Sequence, residues 1–528
     1  MAHRPVIMST HGMVTSCNHL ASMAGLRTLM EGGNAIDAAV TANAVINVTR
    51  PHMCGIGGDV FMLIYKAKTG ELAALNGSGR APGDATIEAM KKKGMERVPM
   101  RGIFPVTVPG AVDGWANALE RCGTWKLDRV LKPAIEYAEK GFPVYKKLQR
   151  DMNATLPTLY SHAPTANLFL KHGRLPEVGE IFVQSDLART FKLIADQGPD
   201  AFYKGEIARK IAACSRELGG FLTEEDLARH MSNWVDPIST TYRGYEVYEL
   251  PPNTQGVALL EQLNIVENFD LARMGPYSAD HIHLLVEAKK LAFADRDHYV
   301  SDPDFVKVPV KQLASKAFAR ERAGLIDFSK AAAHREAEQI DPGSDTIYLA
   351  AADAEGNLVS LISSIFAFFG SGIVVDGTGI VLHNRGALFS LDPNHANRLE
   401  PYKRPYHTLN PVMLFKNGRP FMACGTPGAD GQTQTIMQLL TNFIDFGLDV
   451  QEAIEAPRWR SYIGTDLRME SRVPEETRQE LGGRGHEVKV EGAWSYELSN
   501  AQAIMIDEES KALWAGADPR RDAYAVGW

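Results

Sequence analysis

Apolar positions along this chain change period several times, and each change predicts an element. In "LASMAGLRTLME", residues 20–31, Leu20, Met23, Ala24, Leu26 and Met30 recur at near-helical spacing, and Gly32-Gly33 stops the helix. "NAIDAAVTANAVINV" follows as a second helix, capped by Asn34 and built from small residues suited to close packing. "CGIGGDVFMLIYKAKTGELAALNG" reads as a glycine turn and two strands. Those glycines precede a strand instead of joining a strand to a helix, which predicts a tight turn and not a phosphate loop. Residues 185 to 235 look helical, with capping-box spacing from Thr223 to Asp226. "YRGYEVYELPPNTQGVALLEQLNIVENF" predicts a strand, a Pro/Gly loop and a buried helix. "GTPGADGQTQTIMQLLTNFIDFG" predicts a glycine turn leading into an amphipathic helix.

The most informative pattern is "DPGSDTIYLAAADAEGNLVSLISSIF", residues 341–366. "TIYLAAAD" and "NLVSLISSIF" predict two antiparallel strands joined by Ala354-Glu355-Gly356. A three-residue hairpin loop needs a left-handed third residue, and Gly356 supplies it. That loop pairs Asp353 with Asn357, and the same register carried to the far end sets Thr346 opposite Ser364. Directly opposed side chains have Cβ atoms about 4.5–5.5 Å apart, so two hydroxyls meet at one end of the sheet. The stretch before Thr346, "KAAAHREAEQIDPGSD" at 330–345, is polar and acidic and is the most linker-like in the chain. The expected division is therefore a region of residues 1–345 and a second of 346–528.

Composition narrows the classes. With 528 residues, 45% hydrophobic and 23% charged, the chain can bury a large core or two to three smaller ones. A net charge of −8, with no basic stretch interleaved with aromatics, argues against nucleic-acid binding. No apolar run is long enough to span a bilayer, and the N-terminus lacks the unbroken apolar core of a secretory signal. Five scattered cysteines without a Cys-x-x-Cys pair argue against a disulfide framework or zinc cage, so the expected compartment is the cytoplasm.

A threonine at the start of a core strand, just after an exposed acidic loop, suggests chemistry. A threonine hydroxyl is a poor nucleophile without an adjacent base. When threonine is the first residue of a chain, its own α-amine, with a reference pKa near 7.7–8.0, serves as that base. Thr346 reaches this state only if the Asp345–Thr346 peptide breaks: its hydroxyl attacks the Asp345 carbonyl, and water hydrolyses the resulting ester. The tetrahedral intermediate needs backbone donors, which "GTPGADG" offers at Gly428 and Ala429. Two alternatives come from other classes. A metal hydrolase would use His281, His283, Glu287, Asp295, Asp297 and His298, but on a helix capped by Ser278 or Asp280 the two histidines would lie about 200° apart. A catalytically silent binding protein is the other.

The ordered blocks "GGNAIDAAVTANAV", "GIGGDVF", "PPNTQGVALLEQLNI", "EAKKLAFADRDHYVSDPDF", "DTIYLAAADAEGNLVS", "GSGIVVDGTGIVLHNRG", "KRPYHTLNP", "GTPGADGQ" and "GADPRRDAYAVGW" run nearly end to end. The chain resembles the γ-glutamyltransferase family of N-terminal-nucleophile hydrolases, which are made as single-chain proenzymes. The resemblance implies an α+β fold, a four-layer αββα sandwich built from both fragments, which stay associated. It matches Thr346 to the nucleophile, Ser364 to its supporting hydroxyl, and Gly428 and Ala429 to the oxyanion-hole loop. It calls for no cofactor and no metal, and leaves room for a homodimer.

On the substrate side the chain departs from that family. The acidic residue that holds a glutamyl α-amine, which follows an Asn-Asn-Gln stretch, is matched by Leu388 within "HNRGALFS". The asparagine of the second hairpin strand is Phe366, the serine pair is His407-Thr408, and the carboxylate-binding arginine is matched only approximately by Arg80. The segment between Phe389 and Lys403 is short, so the lid of some members is expected to be missing. Without a carboxylate partner, a glutamyl ammonium would be left unpaired in a partly apolar pocket, which is costly. Arg80, Arg385 and His407 can still pair with an anionic acyl group. The expected substrate is thus a small carboxylate-bearing amide without an α-amine, of the oxamate or glutaryl type. The same-class alternative is a glutathione hydrolase or γ-glutamyltransferase.

Overall fold

The computed structural model describes residues 2–333 and 346–528. Most of the linker-like stretch, with Asp345 of the expected cleavage site, lies outside the described residues. The fold is mixed α/β, organised on two seven-stranded sheets in which every pairing is antiparallel. One sheet runs, in spatial order, Tyr524–Gly527, Gly12–Ser16, Ile347–Asp353, Leu358–Ser364, Asp59–Lys66, Glu71–Gly77 and Asn233–Val235. The other runs Ile7–Ser9, Leu513–Ala517, Gln502–Ile506, Arg419–Gly425, Val412–Lys416, Tyr245–Glu249 and Ile238–Tyr242.

Period-2 alternation explains why the strand Ile347–Asp353 reads as an apolar run up to its last residue. Tyr348, Ala350 and Ala352 join an apolar cluster with Met413, Ala423 and Ile504 of the other sheet. Ile347, Leu349 and Ala351, on the opposite face, join a cluster with the helices His19–Met30 and Ala35–Thr49. A strand buried on both faces favours apolar residues at successive positions. On the other sheet, Val412, Leu414, Met422 and Cys424 pack with the helices Gly256–Val266, Ala279–Tyr299 and Gly431–Ile444.

The hairpin has the predicted register. Ile347 pairs with Ser363 and Ala352 with Leu358. Asp353 and Asn357 close the loop through a backbone hydrogen bond of 3.2 Å, and Gly356 takes φ +87°. The helix caps at Asn34, Thr223 and Ser278 also form where the sequence places them. The "GIGGD" glycines mark a close backbone approach: a Cβ on Gly58 would meet the Ser364 carbonyl oxygen at 2.3 Å. Two predicted features differ. Helices in the 185–235 segment end at Ala228, and Asn233–Val235 instead forms an edge strand. The helix after "GTPGADG" is buried through residues 431–442 instead of amphipathic, because other helices cover the face turned away from its sheet. Among the described residues, no helix is long and apolar enough to cross a membrane.

Candidate active site

Thr346 immediately precedes the strand Ile347–Asp353 and is 2% exposed. Its hydroxyl donates to Ser364 Oγ at 3.2 Å, as the register requires. Ser364 Oγ also accepts the Phe366 amide at 2.8 Å. The chain turns sharply there, and Phe366 adopts φ +74°, a region L-residues enter only when neighbouring structure holds them. That support comes from Ile365 N donating to the Met53 carbonyl (3.1 Å) and Ala367 N to Asn384 Oδ1 (3.0 Å).

A cavity of about 590 Å³ opens beside this turn, lined by Phe366, Leu388, Thr408 and Ala429 among others. Four of the residues singled out in the sequence therefore share one space. Gly428 and Ala429 take φ values of +123° and +48°, and neither amide donates a hydrogen bond among the described residues. Two adjacent unused N–H groups at the edge of a cavity suit a developing oxyanion. Replacing Ser364 with alanine is expected to slow both self-cleavage and turnover by about ten- to a hundredfold, the equivalent of one hydrogen bond to a group gaining charge. Unchanged rates by mass spectrometry and by steady-state assay would remove Ser364 from the chemistry.

Behind the cavity wall lies a charged cluster absent from the sequence reading. Asp59, fully buried, accepts His383 Nδ1 at 3.1 Å, His407 Nε2 at 3.0 Å and the Gly79 amide at 3.1 Å. Burial alone would raise the Asp59 carboxyl, but the two histidines outweigh it and hold it far below the usual carboxylate range. Arg385 Nε stands 3.8 Å from Asp59, Nη1 donates to Thr408 Oγ1 at 3.2 Å, and the guanidinium lies 4.4 Å from the Phe366 ring centroid. Its Nη2 has no hydrogen-bond partner among the described residues. Burial lowers the Arg385 pKa to about 10, so it stays cationic at neutral pH. The only sequence signal for Asp59 was its place in the "GIGGDVF" block.

Three expectations change here. His407 does not offer a cation: burial, with Arg385 adding to it, pushes the imidazole down to about 3. Its N–H faces Asp59, leaving only an acceptor nitrogen. Arg80 is not among the cavity-lining residues; its guanidinium turns to Asp304 at 3.7 Å. Arg385 stands one layer back, behind Phe366 and Thr408.

The six residues of the alternative metal set do not come together, and His281 and His283 diverge as helix spacing requires. His281 packs edge-on against Phe446, while His283 turns to His486. Among the described residues, the metal-ligating group within mutual reach is His283, Glu287 and His486. His283 Nε2 donates to the Asp327 carbonyl, so Nδ1 accepts from His486 Nε2 at 2.8 Å. Glu287 is ion-paired with buried Lys290 at 2.8 Å, so an ammonium already supplies its countercharge. His281 carries a separate consequence. Burial pushes its pKa down to about 4, while the unfolded chain protonates near 6.5, so stability is lost as pH falls through that window. In urea titrations from pH 4.5 to 6.5, His281→Phe should flatten the dependence by about 1 kcal/mol per pH unit on average. An unchanged slope would contradict the neutral buried ring.

Comparison with known proteins identifies the family. The gamma-glutamyltranspeptidase family model matches residues 21–528. The glutathione hydrolase-like YwrD proenzyme of Bacillus subtilis is 42% identical, covering 99% of both chains. The oxamate amidohydrolase proenzyme of Klebsiella pneumoniae is 38% identical, again covering 99% of each. The crystal structure of a cephalosporin acylase from Bacillus halodurans superposes with a TM-score of 0.94 at 42% identity, over 100% of this chain and 98% of that one. The chain belongs to the gamma-glutamyltranspeptidase family, and these relatives mark it as an amide-hydrolysing enzyme.

Proposed function

We propose that the chain cuts itself before Thr346 and then hydrolyses a small carboxylate-bearing amide that lacks an α-amine. The observation that carries this reading is the buried Thr346–Ser364 hydroxyl pair, whose Ser364 Oγ holds the amide of Phe366, a residue lining the same cavity as Ala429. In the first step the Thr346 hydroxyl attacks the Asp345 carbonyl and the peptide C–N bond breaks, which frees the α-amine and leaves an ester. Water then hydrolyses that ester, releasing the Thr346 hydroxyl and the Asp345 carboxylate. That amine then takes the hydroxyl proton as Thr346 Oγ1 attacks the substrate carbonyl. The amides of Gly428 and Ala429 stabilise the oxyanion, and Ser364 orients the attacking hydroxyl. The amine product leaves with the proton, and water hydrolyses the Thr346 ester by the same route reversed. The two fragments, residues 1–345 and 346–528, remain together because the cleaved strand sits mid-sheet between segments from both. Two sheets sharing one apolar cluster, with helical clusters against their outer faces, support the four-layer αββα arrangement.

The substrate class follows from charge. Asp297 and Asp430 line the cavity, but each is already paired with Arg296, at 2.7 and 2.9 Å. Leu388 and Phe366 add apolar surface where an ammonium would need a carboxylate. Arg385, with an unused Nη2 behind Phe366 and Thr408, supplies a cation for an acyl carboxylate once the Phe366 ring gives way. The names of the relatives favour a second reading, glutathione hydrolysis. Assaying the mature enzyme with glutathione, glutaryl amides and oxamate separates the two.

A further inference from the structure

The Gly428–Ala429 turn is held by a residue that does not line the cavity. Gln255, fully buried, is the N-cap of the helix Gly256–Val266, and its backbone amide donates to the His407 carbonyl at 2.9 Å. Its side-chain Nε2 donates to the Thr408 carbonyl at 2.6 Å and the Ala429 carbonyl at 3.1 Å. Oε1 accepts from Arg296 Nη1 and from the Tyr406 hydroxyl, both at 3.1 Å. Carbonyls can only accept and the guanidinium only donate, so the partners themselves fix the orientation of the amide. Arg296 Nη1 also reaches Asp430 Oδ1 at 2.9 Å, next in chain to Ala429. Burial would lower the Arg296 pKa, but the carboxylates of Asp297 and Asp430 outweigh it, so the clamp keeps its charge.

We propose that Gln255 is a positioning residue that keeps the Gly428 and Ala429 amides aimed at the reacting carbonyl oxygen. Ala429 is a non-glycine residue at φ +48°, which the backbone holds only if something restrains it. Two bonds to its carbonyl provide the restraint, one from Gln432 N at 3.0 Å and one from Gln255. The Gly428 carbonyl is held likewise by Gly431 N at 2.8 Å. With both carbonyls engaged, the amides stay free for substrate. A donor that is already oriented loses no energy to reorganisation as negative charge develops. The proposal rests on the oxyanion role given to this turn.

Three variants test it. Gln255→Glu keeps the shape and both accepted bonds but sets a carboxylate against two carbonyls. Gln255→Met removes both sets of bonds at similar length. Tyr406→Phe, the mildest, removes one donor to Oε1. Each is checked for the 183-residue fragment and thermal stability, then assayed on glutaryl p-nitroanilide. For the two Gln255 variants, kcat should fall about ten- to a hundredfold with KM within about threefold, and for Tyr406→Phe by a few-fold. A glutaryl-shaped boronate, whose tetrahedral oxygen occupies the oxyanion position, should lose affinity in parallel, while glutarate binding stays constant. Normal kcat in a cleaved, folded variant, or a fall in kcat without loss of boronate affinity, overturns the role of Gln255 and leaves the amidase reading standing. That reading fails separately if Thr346→Ala retains activity.

Discussion

Replacing Thr346 with alanine is expected to leave one uncut chain of 528 residues and to abolish amide hydrolysis. The wild type should resolve into fragments of 345 and 183 residues, the smaller beginning Thr-Ile-Tyr. Removing a covalent nucleophile costs about four orders of magnitude or more, because residual binding and oxyanion stabilisation cannot replace the covalent step. Folding should be nearly unaffected. Among the described residues the hydroxyl donates to Ser364 at a strand end, and the apolar residues that follow it carry the packing. Mass spectrometry and N-terminal sequencing decide the matter. A small fragment starting anywhere but Thr346, or an alanine variant that still cuts itself, would remove both the cleavage site and the nucleophile.

The second large effect concerns substrate choice. A glutaryl amide is expected to exceed glutathione in kcat/KM by about a thousandfold, because a buried site that leaves a charge unpaired discriminates far more than one missing a methylene. Arg385→Gln should raise KM for the glutaryl amide about ten- to a hundredfold, the size of a lost charge-assisted bond, while self-cleavage proceeds at its normal rate. Cleavage then doubles as proof of folding, since it needs no bound substrate. Neutralising Arg80 should change KM less, because its guanidinium faces Asp304 outside the cavity. Comparable rates for glutathione and the glutaryl amide would sink the specificity argument without touching the family assignment.

Much of the site was legible because its core is local. One glycine in one loop sets the register of the 347–364 hairpin, and every pair follows from it, so Thr346 could be set against Ser364 by counting. Helix caps at Asn34, Thr223 and Ser278 were readable for the same reason, since a side chain and an amide two or three residues away form a closed local motif. The substrate-facing charges were not legible in this way. Position in a motif grouped Arg80, Arg385 and His407, whereas the fold turns Arg80 to Asp304, sets Arg385 near Asp59 behind Phe366 and bonds the His407 ring to Asp59.

The difference is physical. Sequence alone determined how the 347–364 hairpin pairs and that the hydroxyls of Thr346 and Ser364 meet at its end, because strand period, turn chemistry and capping act over a few residues. Only the tertiary structure decided which ionisable groups carry charge into the site. Asp59, Gly79, His383, Arg385 and His407 meet across more than three hundred residues of chain. His407 is neutral because that packing removes water from it and sets Arg385 close by. Arg385 remains charged because Asp59 lies within 3.8 Å. Desolvation and charge pairing depend on everything that surrounds a group, and no short window of sequence contains those surroundings.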